Sequence, residues 1–125
     1  MSRILLADDD GAQLHLRRRM LEAYGHEVLM AMEPTGALDQ LHHGCDLLIM
    51  DLRFLNCAGV PDPREGRALI RRVRELDRNV PVVVLSGWPD DLYGHPEEKM
   101  VSRVFIKPVP SRELLAAIAE LVPSS

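Results

Sequence analysis

No apolar run in this sequence approaches the roughly 18 residues that a membrane-spanning helix needs. The opening stretch, Met1-Ser2-Arg3 before Ile4-Leu5-Leu6-Ala7, is too short for a signal peptide, and Asp8 ends it. Positive charge is not in excess. The formal net charge is −4, which removes the electrostatic case for direct binding of nucleic acid or an acidic membrane. Cysteine is nearly missing: Cys45 and Cys57 are too few for a disulfide framework or a metal site and read as free thiols of a cytoplasmic protein. No internal repeat, low-complexity segment or composition break marks a second domain. These absences leave one globular domain over residues 1–125, with 46% hydrophobic and 27% charged residues and enough length to bury a core.

What is present alternates. Arg3 to Ala7 is a short apolar run closed by Asp8-Asp9-Asp10; it reads as a buried strand ending in an acidic turn, with Asp10 as N-cap of the next helix. Residues 13–24 read as that helix, with a broad apolar face from Leu14, Leu16, Met20, Leu21 and Tyr24, stopped by Gly25. A second strand lies within residues 27–32. Pro34 opens a helix that turns Ala37, Leu38 and Leu41 inward and ends at Gly44. Leu47-Leu48-Ile49-Met50 then run without a break into Asp51. A run this short, apolar on both faces, suits a strand held between two helical layers.

Residues 52–65 contain two prolines and a glycine and read as a long irregular loop. Gly66 is expected to open a helix with Leu69, Ile70, Val73 and Leu76 on one face. Residues 80–85 form a fourth strand, ending at Ser86-Gly87. Pro89, Gly94 and Pro96 leave residues 88–100 as a short or distorted helix. Val104-Phe105-Ile106 is the last strand, followed by Lys107-Pro108. Ser111 is expected to cap a final helix striped by Leu114, Leu115, Ile118, Leu121 and Val122. Five β-α repeats predict an α/β fold: a doubly wound, five-stranded parallel sheet with helices on both faces and right-handed crossovers.

In such a sheet every strand delivers its carboxyl end to the same edge, where open α/β sheets bind ligands. The first strand brings Asp8 and Asp9 there, the third Asp51, the fourth Ser86 and the fifth Lys107. Three neighbouring carboxylates repel one another unless a cation joins them. Mg²⁺, with oxygen ligands and retained waters, suits such a site. A lysine and a hydroxyl opposite fit a phosphoryl group. A carboxylate between metal and lysine can act as nucleophile toward a phosphoryl donor.

With these residues in this order, the whole chain resembles the receiver domain of two-component response regulators. The resemblance implies a flavodoxin-like sheet of strand order 2-1-3-4-5. It implies that Asp51 is the phosphoacceptor, taking a phosphoryl group from a phosphohistidine on a sensor histidine kinase or a histidine phosphotransfer protein. Mg²⁺ would be held by Asp9 directly, by Asp8 through water, by Asp51 and by the backbone carbonyl of Arg53. Ser86 would bond a phosphoryl oxygen, Lys107 would pair with the phosphate, and Lys107-Pro108 would be a cis peptide. Beyond autocatalytic phosphorylation and dephosphorylation of the aspartate, no enzymatic activity is expected. A homodimer through the last helix and fifth strand is a candidate assembly, and with nothing after the last helix no DNA-binding output is expected.

Three features depart from the family pattern. The loop from Asp51 to Gly66 is longer and borders the site, where it can restrict access or carry a partner contact. The position three before Lys107 is Val104, where many receivers carry Tyr or Phe; Phe105 next to it points to the opposite face of its strand. The prolines and glycine after Ser86 disturb the fourth helix. Trp88 reads most plainly as a loop aromatic packing on the surface; the sharper alternative is that it overhangs Asp51 and hinders hydrolytic water. Arg17-Arg18-Arg19 and Arg71-Arg72-Arg74 read as solvated helix faces, and Met20, Met30, Met32 and Met50 as core filler. Two rival functions are weighed: a phosphorylation-independent interaction module on the same fold, and a small phosphatase of the haloacid dehalogenase type. The second would place its nucleophile on the first strand and would need a cap domain.

Overall fold

A computed structural model describes residues 2–122. In chain order it contains β1 (Arg3–Ala7), α1 (Gly11–Ala23), β2 (Glu27–Ala31), α2 (Pro34–His42), β3 (Leu47–Met50), β4 (Phe54–Leu55), β5 (Pro61–Asp62), α3 (Pro63–Leu76), β6 (Val82–Ser86), two 3₁₀ turns (Pro89–Asp91 and Pro96–Met100), β7 (Arg103–Ile106) and α4 (Ser111–Leu121). Five strands pair in parallel in the order β2-β1-β3-β6-β7. With the small β4-β5 hairpin set aside, this is the expected order 2-1-3-4-5.

The strands alternate between two cores. Leu5, Leu48, Met50, Val82 and Val84 face α2 and α3, packing on Leu41, Leu69, Ile70 and Val73. Ile4, Leu6, Leu47, Ile49, Val83 and Leu85 face the other way, onto Leu14 and Leu21 of α1 and Leu114 and Ile118 of α4. Because side chains alternate at period two, a continuous apolar run is what a strand covered on both faces requires. Each fully buried Leu, Ile or Val contributes about 1.5–3 kcal/mol by leaving water. Val104 packs against the first core and Phe105 against the second, on opposite faces as expected.

Parallel register aligns the carboxyl ends. Ala7 lies beside both Ala31 and Met50, so Asp8 and Asp51 emerge past the same rung. The Asp51 amide donates to the Ala7 carbonyl at 3.0 Å and the Asp8 amide to the Ala31 carbonyl at 3.1 Å. Across the sheet, the Lys107 amide donates to the Ser86 carbonyl at 2.8 Å.

Local expectations hold in part. Asp10 caps α1, accepting from the amides of Ala12 and Gln13 at 3.1 and 3.2 Å. That helix starts at Gly11, directly after its cap. Its apolar face is narrower than expected: Leu14 and Leu21 are buried, whereas Leu16 and Tyr24 are about two-thirds exposed. Leu16 stands two positions from Leu14, which is 200° around a 3.6-residue helix and so off the buried stripe. Met50 is core, whereas Met32 is 52% exposed.

The stretch 52–65 is not irregular throughout. β4 and β5 pair antiparallel, Phe54 with Asp62 and Leu55 with Pro61. Asn56 ties the turn between them, accepting from the amides of Ala58 and Val60. Helix α3 opens earlier than Gly66, at Pro63, with Asp62 as N-cap accepting from the Arg64 amide at 2.9 Å. Proline suits that first position because its missing amide hydrogen would have no helical partner. Gly66 has another reason: a Cβ there would stand 2.3 Å from the Leu52 Cα and 2.4 Å from the Leu52 carbonyl oxygen. Its own amide donates to that carbonyl at 2.9 Å.

Ser111 is the first residue of α4 rather than its cap; Pro110 precedes the helix and makes no side-chain cap bond. In place of the short or distorted helix expected over residues 88–100, the stretch holds two 3₁₀ turns, Pro89–Asp91 and Pro96–Met100. They are held by arginines of α3. Arg67 donates to the Asp91 carbonyl at 2.6 Å, Arg71 to Glu97 at 2.9 Å, and Arg74 to the carbonyls of Met100 at 2.8 Å and Val80 at 2.6 Å. The arginine-rich face of this helix is thus a clamp, with Arg72 still largely exposed.

Candidate functional site

Three carboxylates meet at the carboxyl edge of the sheet. Oxygens of Asp8, Asp9 and Asp51 all lie within 4.8 Å of one another. Asp8 and Asp51 are buried and Asp9 is half-buried. Burial first, then the hydrogen bond and charge of Asp8 and the charge of Asp51, push the Asp9 carboxyl above its ordinary range. A cluster of oxygen donors that resist shared ionisation is the environment a hard divalent cation relieves, so these residues fit Mg²⁺.

Two cations already oppose the cluster. Lys107 Nζ donates to Asp51 Oδ2 at 2.8 Å and lies 3.7 Å from Asp8 Oδ2. Arg17 Nη1 donates to Asp8 Oδ2 at 3.1 Å, while Asp8 Oδ1 accepts from the Asp10 amide at 3.0 Å. Arg17 was expected on a solvated face. It stands three residues after Leu14 and four before Leu21, on the buried stripe, and its side chain is only 15% exposed. That i+3 spacing from Leu14 is the signal the sequence offers for an inward-facing arginine. The Lys107–Pro108 peptide is cis.

The second oxygen of Asp51, Oδ1, accepts from the Leu52 amide at 2.6 Å and lies 3.5 Å from the Arg53 amide. The Arg53 side chain turns away from the carboxylates toward the segment after β6. Its guanidinium grips both oxygens of Asp91, at 2.8 and 3.2 Å, and lies 3.6 Å from the centre of the Trp88 ring. Ser86 is buried, and its hydroxyl is engaged within its own turn. It donates to the Trp88 carbonyl at 3.0 Å and accepts from the Trp88 amide at 3.1 Å. Asp91 has no sequence signal that singled it out; its role appears only where β3 and β6 end side by side.

The β4-β5 hairpin borders the site, as expected of the long loop. Phe54, Leu55 and Asn56 form one side of a groove of about 490 Å³, with Asp9, Met32 and Pro34 among its other walls. Met32 and Leu55 are therefore exposed beside the acidic cluster rather than lost to solvent at random.

The fold and the site together define a doubly wound α/β protein with an acidic, lysine-capped pocket at the carboxyl edge of its sheet. The family model described as the response regulator receiver domain matches residues 4–119, and the chain belongs to that family. It is 36% identical over 94 residues to the virulence transcriptional regulatory protein PhoP of Salmonella typhimurium, covering 72% of this chain and 39% of that protein. It is 32% identical over 114 residues to the transcriptional regulatory protein CpxR of Escherichia coli, covering 83% and 48%. The chain thus spans less than half the length of these curated relatives. Both are named as transcriptional regulators, so the expectation of no contact with nucleic acid draws no support from them.

Among solved structures, a receiver domain protein from Clostridium thermocellum aligns with TM-score 0.84 at 23% identity, covering 98% of this chain and 94% of that one. The response regulator TrrA of Thermotoga maritima, in complex with Mg²⁺ and BeF, aligns with TM-score 0.82 at 21% identity, covering 97% and 99%. At these identities the likeness is one of fold. Among the described residues no helix is long and apolar enough to cross a membrane.

Proposed function

We propose that the chain is a phosphoacceptor domain of a two-component or phosphorelay system. In it Asp51 takes a phosphoryl group from a phosphohistidine of a sensor histidine kinase or histidine phosphotransfer protein. The observation that carries this reading is the 2.8 Å pair between Lys107 and Asp51, set against the carboxylates of Asp8 and Asp9. In the transfer an Asp51 oxygen attacks phosphorus, the phosphorus–nitrogen bond breaks, and the imidazole leaves with that electron pair, giving an acyl phosphate. Asp8, Asp9, Asp51 and the Arg53 carbonyl are the groups that would hold Mg²⁺. When bound, the ion neutralises charge on the phosphoryl oxygens. Lys107 offers a second positive charge to the same oxygens, and the Ser86 hydroxyl, once released from the Trp88 carbonyl, offers a hydrogen bond. We further read residues 1–125 as one domain, cytoplasmic in location, that signals by changing conformation rather than by turning over a substrate.

The test is incubation with acetyl phosphate and Mg²⁺ followed by intact mass. One acid-stable, base-labile phosphoryl adduct is expected on the wild type and none on Asp51→Asn. A wild type that takes no adduct from any phosphodonor overturns the reading in favour of a phosphorylation-independent interaction module.

A further inference from the structure

Residue 53 links two loops that the reaction must coordinate. Its amide lies 3.5 Å from Asp51 Oδ1, while its side chain is bound to the segment that follows Ser86. The grip on that segment has three parts. Asp91 takes the guanidinium through both carboxylate oxygens, a fork geometry that fixes orientation as well as distance. The carbon of the same guanidinium sits over the Trp88 ring, 3.6 Å from its centre. Arg67, from α3, donates to the Asp91 carbonyl at 2.6 Å and ties the turn to the body of the domain.

The Ser86 hydroxyl sits at the other end of this turn. It has one proton, and that proton is given to the Trp88 carbonyl at 3.0 Å. To donate to a phosphoryl oxygen on Asp51, Ser86 must release that carbonyl, which loosens the 86–88 turn. The turn cannot shift freely, because its tryptophan is stacked on an arginine that Asp91 holds in place. Both side chains of the ion pair are mostly shielded, Arg53 29% and Asp91 10% exposed, so solvent screens the pair only in part.

We propose that Asp91 is a positioning residue: through Arg53 and the stacked ring of Trp88 it holds the Ser86 turn in its resting form, and phosphorylation of Asp51 draws Arg53 away from it. The proposal rests on Asp51 being the phosphoacceptor. A phosphoryl group beside residue 53 presents about two negative charges where Asp91 presents one, which favours the exchange. Val104 leaves this chain without an aromatic three positions before Lys107, where many receivers carry Tyr or Phe. The Trp88–Arg53–Asp91 stack supplies an aromatic that responds to the same event from the neighbouring loop.

The single tryptophan makes the stack directly readable. Iodide quenching of Trp88 is measured on wild type, Asp91→Asn, Asp91→Glu and Arg53→Lys, before and after acetyl phosphate with Mg²⁺, with intact mass on every sample. In the resting state Asp91→Asn and Arg53→Lys should expose Trp88 to iodide, and Asp91→Glu should restore shielding. Phosphorylated wild type should reach the exposed value, and Asp91→Asn should show little further change. Asp91→Asn should also gain the adduct faster, by about tenfold, the factor of roughly one charge-assisted hydrogen bond. Arg53→Lys approaches the same pair from the other side, so a fold defect in one variant does not decide the result. Unchanged quenching in both variants, or a phosphorylated wild type that keeps its resting value, overturns the proposal. A wild type without adduct overturns it through the Asp51 reading instead, and the mass trace tells the two failures apart.

Discussion

Lys107 Nζ and Asp51 Oδ2 lie 2.8 Å apart although 56 positions separate them in the chain. β6 runs between the strands that deliver them, so the pair spans the carboxyl edge of the sheet rather than joining neighbours. Lys107 also reaches toward Asp8, which Arg17 engages from the other side. Three carboxylates thus share two cations, and the pocket keeps a residual negative charge that favours a divalent ion.

Replacing Lys107 with methionine removes the only direct side-chain partner that the buried Asp51 carboxylate has among the described residues. The loss should be about 1–3 kcal/mol, toward the lower end because the lysine side chain is 28% exposed. Urea unfolding without divalent ions measures it. Phosphorylation from acetyl phosphate should also slow at least about tenfold. An unchanged urea midpoint would show that the pair is fully screened.

Asp9 makes stability depend on pH in a stated direction. Its folded carboxyl titrates above its ordinary range, so between the unfolded and folded values the native state holds the proton more tightly. Stability therefore falls as pH rises through that window and stays lower above it. In EDTA, the difference between wild type and Asp9→Asn should follow this curve, with the variant relatively more stable at neutral pH. Adding Mg²⁺ should stabilise wild type and have much less effect on the variant. A pH-independent difference would remove Asp9 as the source.

Gly66→Ala places a methyl group 2.3 Å from the backbone of Leu52, where no side chain can yield. The variant should lose about 3 kcal/mol or more, since the helix or the loop after Asp51 must move. The adduct yield at Asp51 should fall with it. A loss under about 1 kcal/mol would mean that α3 shifts cheaply.

Trp88→Ala removes the ring stacked on Arg53 beside the acceptor loop. If that ring limits the approach of water to the acyl phosphate, adduct loss followed by mass should quicken severalfold. An unchanged rate would leave Trp88 with its stacking role alone.

The two thiols should separate cleanly. Burial, the largest cause, pushes the Cys45 thiol up to about 11, whereas Cys57 is exposed on the hairpin. At neutral pH, one equivalent of Ellman's reagent should react rapidly, and Cys57→Ser should abolish that fast phase. A fast phase surviving in the variant would show that Cys45 opens to solvent.

Most of the site could be read from residue order. Asp8, Asp51, Ser86 and Lys107 each directly follow or close an apolar run, and Asp9 comes next after Asp8. A parallel sheet brings such ends to one edge whatever the connecting loops do. Hidden from that reading were the partners that reach the site sideways. Arg17 sits in a run of three arginines, and only the helical phase set by Leu14 and Leu21 turns it inward. Arg67, Arg71 and Arg74 follow the same logic on α3, and most of their acceptors are carbonyls and acids of a segment with no periodicity of its own.

The hairpin was obscured because Pro61 and Pro63 each carry a turn signal. One lies in a two-residue strand and the other at the first position of a helix, both places where a missing amide hydrogen costs little. The sequence by itself determined the sheet, its two covered faces and the acidic edge, because apolar period and strand ends are local properties of the chain. Tertiary structure alone decided that Asp91 would hold Arg53 and that Trp88 would lie against it. Those contacts depend on where two loops from different strands come to lie, and nothing local to either loop encodes the other's position.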